Sequence, residues 1–67
     1  MTITVNGKVR DVAGTQTLLE FLESFGLNPA LVAVEYNTEI LRKEHFAACQ
    51  LADGDQLEII HMVGGGA

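Results

Sequence analysis

The stretch GTQTLLEFLESFGL, residues 14–27, decides the fold because it carries the clearest helical pattern in the chain. Its large apolar residues recur at spacings of three and four, which places them on one face of an α-helix. These residues are Leu18, Phe21, Leu22 and Phe25. The pattern predicts one amphipathic helix whose apolar face must be covered by another element.

Both ends of this helix are also signalled. Thr17, followed three residues later by Glu20, fits a capping box at the N-terminus. Gly26, followed by the apolar Leu27, fits a left-handed C-terminal stop with its hydrophobic contact.

The segments on either side of the helix favour β-strands. Before it, MTITVNGKVRDV has Asn6-Gly7 between two β-favouring runs, which predicts a hairpin. A two-residue turn would place Val5 opposite Lys8, whereas a bulged three-residue turn would pair Val5 with Val9, which the core would prefer. The sequence leaves that register open.

Three further strands are predicted after the helix. ALVAVEYN, residues 30–37, is short and apolar and reads as a central strand. A brief strand about Ile40 and Leu41 leads into an irregular or single-turn segment that Phe46 anchors. The turn at residues 53–55 precedes a last strand, QLEIIHM. Side chains alternate between the two faces of a strand, which places Leu57 and Ile59 on one face and Ile60 and Met62 on the other.

Strands that flank a single helix in so short a chain predict an α+β domain, with the helix across one face of a mixed sheet of four to five strands. The chain has 67 residues, which is enough for one small domain. We assign residues 1–63 to this domain and residues 64–67 to a flexible glycine-rich tail.

Composition excludes several classes of partner. The formal net charge of -5 would repel nucleic acid and anionic lipid, so neither is expected as a partner. The single Cys49 cannot form an internal disulfide, and no secretion signal is recognisable, so we expect a cytoplasmic protein.

Few residues could act as catalysts. There is no phosphate-binding loop, nucleophile turn or metal-binding Cys/His pattern, and His45 and His61 stand alone. Asp53 and Asp55 flank a turn glycine, and turn formation explains both. We therefore expect no catalytic residue, no metal and no permanently bound cofactor; the protein is not expected to be an enzyme.

The tail VGGGA is the remaining candidate. The glycines directly follow the last strand, and an extended arm without Cβ atoms can thread a narrow tunnel and present a terminal carboxylate to a partner. The predicted threading residues are Gly64, Gly65 and Gly66.

Several features of the chain together carry a family resemblance: its size, the order of its elements, the segments VNG, ILRKEHF and LADGDQLEII, and the glycine tail. With these features the chain resembles the ThiS family, the ubiquitin-like β-grasp sulfur carriers of thiamine biosynthesis. The resemblance implies that an E1-like, ThiF-like adenylyltransferase uses Mg-ATP to adenylate the C-terminal glycine. Sulfur from a cysteine desulfurase would then give a thiocarboxylate, which would donate its sulfur to a ThiG-like thiazole synthase. Cys49 would not be the carrier.

On this reading the sheet face that the helix leaves uncovered would dock the partners, through Ile60 and Met62 and, as a weaker choice, Tyr36. Acidic residues such as Glu58 would orient a basic partner.

The residue Ala67 departs from the family, whose members normally end at glycine. A peptidase could remove Ala67 so that Gly66 becomes the sulfur-carrying end, or further trimming could expose Gly65. The activating enzyme could also tolerate the alanine, or the alanine could be foreign to the natural chain. Two other functions stay open: a carrier for molybdopterin or another sulfur pathway, and a β-grasp docking module whose tail is incidental.

Overall fold

The computed structural model describes residues 1–62, which form a five-stranded mixed sheet with one α-helix on one face. The strands are β1 (Thr2–Val5), β2 (Lys8–Asp11), β3 (Val32–Tyr36), β4 (Glu39–Leu41) and β5 (Gln56–His61). The helix is α1 (Leu18–Ser24), and two 3-10 segments span Pro29–Leu31 and Lys43–Ala48. The predicted α+β class is confirmed.

The strand order is β2-β1-β5-β3-β4. β1 and β5 run parallel, and the other neighbouring pairs are antiparallel. The predicted central strand, β3, has a neighbour on each side, but the middle of the sheet is β5. The last strand of the sequence is therefore held along both of its edges.

The first hairpin closes with a two-residue turn, in which Val5 pairs with Lys8. Asn6 and Gly7 have φ of 52° and 82°, the pair of positive values that a type I′ turn requires. Of the two registers that the sequence left open, the structure has the two-residue turn and not the bulged turn that would pair Val5 with Val9. β2 is an edge strand with all four residues exposed, so Val9 is not needed in the core and is 72% exposed.

Both predicted ends of α1 are confirmed. The Thr17 Oγ1 accepts a hydrogen bond from the Glu20 N–H, and the Thr17 N–H donates to Glu20 Oε1 at 2.9 Å. At the other end Gly26 has φ +82°, and the N–H groups of Gly26 and Leu27 donate to the carbonyls of Glu23 and Leu22. This is the paired bonding of a Schellman stop.

The core lies between α1 and one face of the sheet. Its buried apolar residues are Ile3, Val5, Leu18, Phe21, Leu22, Val32, Val34, Phe46, Leu51, Leu57 and Ile59. Phe46 is 1% exposed and anchors the second 3-10 segment, as predicted. Phe25 differs from the expected stripe, because it caps α1 and stays partly exposed against the ring of Phe21, with ring centroids 5.2 Å apart.

The side of the sheet away from α1, here called the open face, is not covered by any element of residues 1–62. Residues that pair across an antiparallel ladder share a face, so Ala33 opposite Ile60 and Glu35 opposite Glu58 both lie on it. None of the helices within the described residues is long and apolar enough to span a membrane.

Candidate functional site

The point where the chain leaves the sheet is fixed by hydrogen bonds on both sides of β5. On the β3 side, the Met62 N–H donates to the carbonyl of Leu31 at 2.9 Å, one residue beyond the strand. The predicted tail residues Gly64, Gly65, Gly66 and Ala67 lie outside the described residues. Whatever follows Met62 therefore starts from the middle strand of the sheet.

The other side of β5 is held by a side chain that sequence reasoning missed. β1 ends at Val5, which pairs with Leu57, so β1 has no strand residue opposite Ile59. The side chain of Asn6 makes the hydrogen bonds to Ile59 instead. Its Oδ1 accepts from the Ile59 N–H at 2.6 Å, and its Nδ2 donates to the Ile59 carbonyl at 3.2 Å. Asn6 thus both forms the hairpin turn and replaces the missing strand residue beside β5.

A second turn asparagine holds the beginning of β5 in the same way. Asn37, with φ 48°, starts the β3–β4 turn, and its Oδ1 accepts from the Gln56 N–H at 2.8 Å. Its backbone N–H donates to the carbonyl of Gln56 at the same distance, 2.8 Å. β5 is therefore clamped near both ends by asparagines in two-residue turns.

The apolar side chains nearest to the end of β5 are exposed. Ile60 is 59% exposed on the open face, as predicted, and Met62 and Leu31 are each 50% exposed. We call these three residues the exit patch. Contiguous exposed apolar residues are typical of interaction sites.

Acidic side chains border the exit patch. Glu58, predicted to orient partners, lies directly opposite Glu35 on the open face. Like charges at directly opposed positions destabilise an antiparallel pair. Within residues 1–62 the single ion pair joins Arg42 to Glu44 at 3.8 Å, so neither glutamate is neutralised in that way. A basic partner would relieve this repulsion.

The placement expected for Tyr36 is wrong. Tyr36 pairs with the buried Leu57 and so lies on the side that faces α1, half-buried, and not on the open face. Its hydroxyl donates a hydrogen bond to Asp55 Oδ2 at 2.7 Å. The sequence could not show this, since residue 36 continues an alternation that fits either face until the register is known.

Asp55 has a larger role than the turn that was predicted for it. It is only 7% exposed and accepts hydrogen bonds from the Tyr36 hydroxyl, the Asn37 amide at 3.1 Å and the Ala52 N–H at 2.7 Å. Burial alone would raise the pKa of this carboxyl, but the hydrogen bonds from Ala52, Tyr36 and Asn37 together hold the pKa below its ordinary value. Asp55 thus ties the last turn to the β3–β4 turn.

The phenol and thiol near Asp55 respond in the opposite direction. The hydrogen bond to the carboxylate, together with burial and its charge, raises the pKa of Tyr36 to about 12. Burial and the same charge raise the pKa of the Cys49 thiol, which favours the less nucleophilic protonated form. The geometry gives Cys49 no means of activation.

The remaining titratable candidates are dispersed. His45 and His61 are both exposed, and Asp53 accepts a hydrogen bond from the Thr2 N–H at 2.6 Å, which links the turn before β5 to the start of β1. Among residues 1–62 no group of three or more His, Cys, Asp or Glu side chains is arranged to hold a metal ion. The features that this part of the chain offers to a partner are the exit patch and the clamped β5.

Comparison with known proteins agrees with the resemblance of the sequence. The profile of the ThiS family matches residues 3–66, which is nearly the whole chain and includes the three glycines. The chain belongs to the ThiS family. The match does not extend to Ala67.

Relatives of similar length support this assignment. The sulfur carrier protein ThiS of Bacillus subtilis is 43% identical over 63 residues, covering 92% of this chain and 96% of the relative. The crystal structure of a thiamine biosynthesis protein, ThiS, from Geobacter metallireducens superposes with a TM-score of 0.85 at 38% identity. That match covers 98% of this chain and 100% of the other, and it confirms the ubiquitin-like β-grasp fold.

A longer relative carries the same domain. The thiazole synthase of Paramagnetospirillum magneticum is 37% identical over 67 residues, which is 100% of this chain and 21% of the relative. The chain thus spans about a fifth of that protein, in which a ThiS-like domain and further sequence share one polypeptide.

Proposed function

We propose that this chain is a sulfur carrier of thiamine biosynthesis, a cosubstrate rather than a catalyst, which delivers sulfur for the thiazole ring. The observation that carries the proposal is the family match through Gly66, together with the sulfur carrier from Bacillus subtilis that aligns over almost its full length.

The reacting group we propose is the carboxylate of Gly66, in a chain from which Ala67 has been removed. A carboxylate is a poor acyl donor because its leaving group would be oxide, so it must first be activated. Its oxygen would attack the α-phosphorus of Mg-ATP on an E1-like enzyme, releasing pyrophosphate and forming an acyl-adenylate. If a further residue were trimmed, Gly65 would take this role.

The next step places sulfur on the same carbon. The outer sulfur of a desulfurase persulfide would attack the acyl-adenylate, and AMP would leave with the bonding electrons. A second thiol would then attack the desulfurase cysteine sulfur of the resulting acyl disulfide, forming a disulfide with that cysteine and releasing the thiocarboxylate. Cys49 takes no part, because its thiol is half-buried and its pKa is raised.

The described residues would position this chemistry. The clamps at Ile59 and Gln56 and the Met62–Leu31 hydrogen bond hold the end of β5 in place beside the exit patch. A partner that binds Ile60 and Met62 would therefore contact the protein next to the point where the chain leaves the sheet. Glu58, with Glu35 beside it, would favour a basic partner surface.

Thiazole synthase is the proposed acceptor of the sulfur. The relative from Paramagnetospirillum magneticum supports this pairing, because its single chain is a thiazole synthase that contains a ThiS-like domain. The other proposed partners are a ThiF-like adenylyltransferase, a cysteine desulfurase and a peptidase that removes Ala67. We place the reaction in the cytoplasm, where Mg-ATP is available.

Reconstitution separates the thiazole pathway from a molybdopterin pathway. A chain ending at Gly66 would be converted to its thiocarboxylate and supplied to a thiazole synthase or to a molybdopterin synthase large subunit. We expect sulfur to be consumed by the thiazole synthase. If only the molybdopterin synthase subunit consumes the sulfur, the protein is still a sulfur carrier but belongs to the molybdopterin pathway.

A tail deletion separates both carriers from a docking module. Removal of residues 64–67 should abolish sulfur delivery if the chain is a carrier. If delivery survives the deletion but is lost on substitution of Ile60 or Met62 by a charged residue, the protein acts by docking alone.

A further inference from the structure

A groove of about 390 Å³ lies between the edge strand β2 and the helix α1. Its strand side is formed by residues 9–13, and its helix side by Phe21, Ser24 and Phe25. β2 is two strands away from β5, so this groove is separate from the exit patch. No part of the proposed sulfur transfer uses it.

The outer edge of β2 offers unpaired backbone groups. The Val12 N–H donates to the Met1 carbonyl, and Val5 pairs with Lys8, which fixes the phase of the β1–β2 ladder. Because ladder bonds alternate along an antiparallel strand, the N–H and C=O groups of Val9 and Asp11 point away from β1. An extended segment could hydrogen-bond to these two residues as an additional strand.

Side chains from both sides of the groove favour a particular sequence in that segment. Arg10 carries its guanidinium carbon 4.6 Å from the centre of the Phe25 ring, so its charge is held at the groove by a cation–π contact. Arg10 makes no ion pair within residues 1–62. Phe25, which is 41% exposed and stacks on the buried Phe21, provides apolar surface directly beside it.

The charge of the chain makes this site distinctive. The protein has 4 basic residues against 9 acidic ones, and two of the four, Lys8 and Arg10, lie on β2. They are two residues apart and therefore on the same face of the strand. The side of β2 that faces α1, here called the basic strip, thus carries two of the four basic residues, while Asp11 lies on the other face of the strand.

We propose that the groove between β2 and α1 binds an extended segment of another protein that has an apolar side chain and, two residues away, a carboxylate. The segment adds a sixth strand outside β2, bonded to Val9 and Asp11. Its two inward side chains are neighbours on one face, so the apolar one packs on Phe25 while the carboxylate pairs with Arg10. This inference is independent of the sulfur-carrier function, for which we propose the exit patch and the glycine tail.

The test is an NMR titration of the full chain with the peptide acetyl-Thr-Ile-Thr-Asp-Thr-amide. We expect amide shifts centred on Val9, Asp11 and Phe25, with little change at Ile60. A control peptide with Asn in place of Asp should bind roughly tenfold more weakly, because it loses the charge-assisted pairing. Absence of shifts at millimolar peptide, or shifts centred on the exit patch, would overturn the proposal.

Two variants probe the two halves of the site. Arg10→Gln should weaken binding of the Asp peptide roughly tenfold and leave binding of the Asn peptide little changed. Arg42→Gln removes the same charge from an exposed site outside the groove and should have no effect. Val9→Pro removes an outward N–H without taking a bond from the β1–β2 ladder, so it should weaken both peptides; unfolding of this variant would leave the arginine comparison to decide.

Two results would give the groove a different meaning. If the same amides shift when the protein alone is concentrated, the occupant is a second copy of the chain. If Arg10→Gln causes self-association and leaves the affinity for both peptides unchanged, the basic strip protects an edge strand from aggregation and the docking proposal fails.

Discussion

The Tyr36 hydroxyl donates a hydrogen bond to Asp55 Oδ2 at 2.7 Å, and this contact can be titrated directly. The chain has one tyrosine and no tryptophan, so phenolate absorbance reports on Tyr36 alone. We expect a pKa of about 12 in the folded protein. Asp55→Asn removes the negative acceptor and should move this pKa toward the ordinary value of 10.0. Asp53→Asn is the matched control and should leave it unchanged.

The same contact makes stability depend on pH at both extremes. The pKa of Tyr36 is raised on folding, so its contribution is complete below pH 10 and is lost as pH rises toward about 12. The pKa of Asp55 is lowered, so its contribution is complete above the unfolded value and is lost as pH falls through the folded value. Urea unfolding of the wild type and of Asp55→Asn should therefore differ most near neutral pH; an equal difference at strongly acidic pH would contradict this account.

Thr38 is the strained residue of the fold. It has φ 75° in the β3–β4 turn, a conformation that a β-branched residue rarely adopts. Thr38→Gly should raise the free energy of unfolding by about 0.5–1 kcal/mol, since glycine is the preferred second residue of a type I′ turn. Thr15→Gly is the control, because Thr15 does not have a positive φ. This substitution should not raise the free energy of unfolding. A loss of stability in Thr38→Gly would show that the threonine side chain makes a compensating contact.

At the scale of elements, the position of α1 and both of its caps were predictable because the signals for them are local, although Phe25 does not join the buried stripe. Thr17, Glu20 and Gly26 act within one turn of their own positions. The asparagine clamps were not predictable, because Asn6 contacts Ile59 and Asn37 contacts Gln56 across distances in sequence that no local pattern encodes. The same limit explains Tyr36, whose face depends on its register against β5.

The two clamps can be separated by hydrogen exchange. Asn6→Gly keeps a residue that tolerates positive φ but removes both side-chain bonds to Ile59. Exchange of the Ile59 amide should speed up roughly tenfold, with the Gln56 amide little affected. Asn37→Gly should have the reverse pattern. Equal acceleration at both amides in either variant would mean that β5 opens as one unit and that the clamps do not act locally.

At the scale of the whole molecule, the described residues place a clamped middle strand beside an exposed exit patch. The open face was foreseen from the two apolar sides of β5, because α1 can cover only one of them. The groove beside β2 could not be foreseen, since it depends on the two-residue register of the hairpin and on the arginine that reaches Phe25.

The docking role of the exit patch is tested by a pair of equivalent substitutions. Ile60→Asp puts a charge into the patch, and we expect it to reduce kcat/KM for activation by the E1-like enzyme at least tenfold, as for a central interface residue. Val9→Asp puts the same charge at another exposed position of the open face, on the edge strand β2 two strands away from β5, and should have little effect. Thermal unfolding should be similar for both. If the E1-like enzyme activates both variants equally well, the exit patch is not its docking site.

The central claim is that the terminal glycine carries sulfur, and intact mass measurement tests it most directly. The full chain, a chain ending at Gly66 and a chain ending at Val63 would each be incubated with Mg-ATP, an E1-like enzyme, a desulfurase and cysteine. We predict a mass rise matching exchange of one oxygen for sulfur, mapped to the C-terminus, on the Gly66 form alone. If no form gains sulfur with enzymes that load a known carrier, or if sulfur is found on Cys49, the account is contradicted.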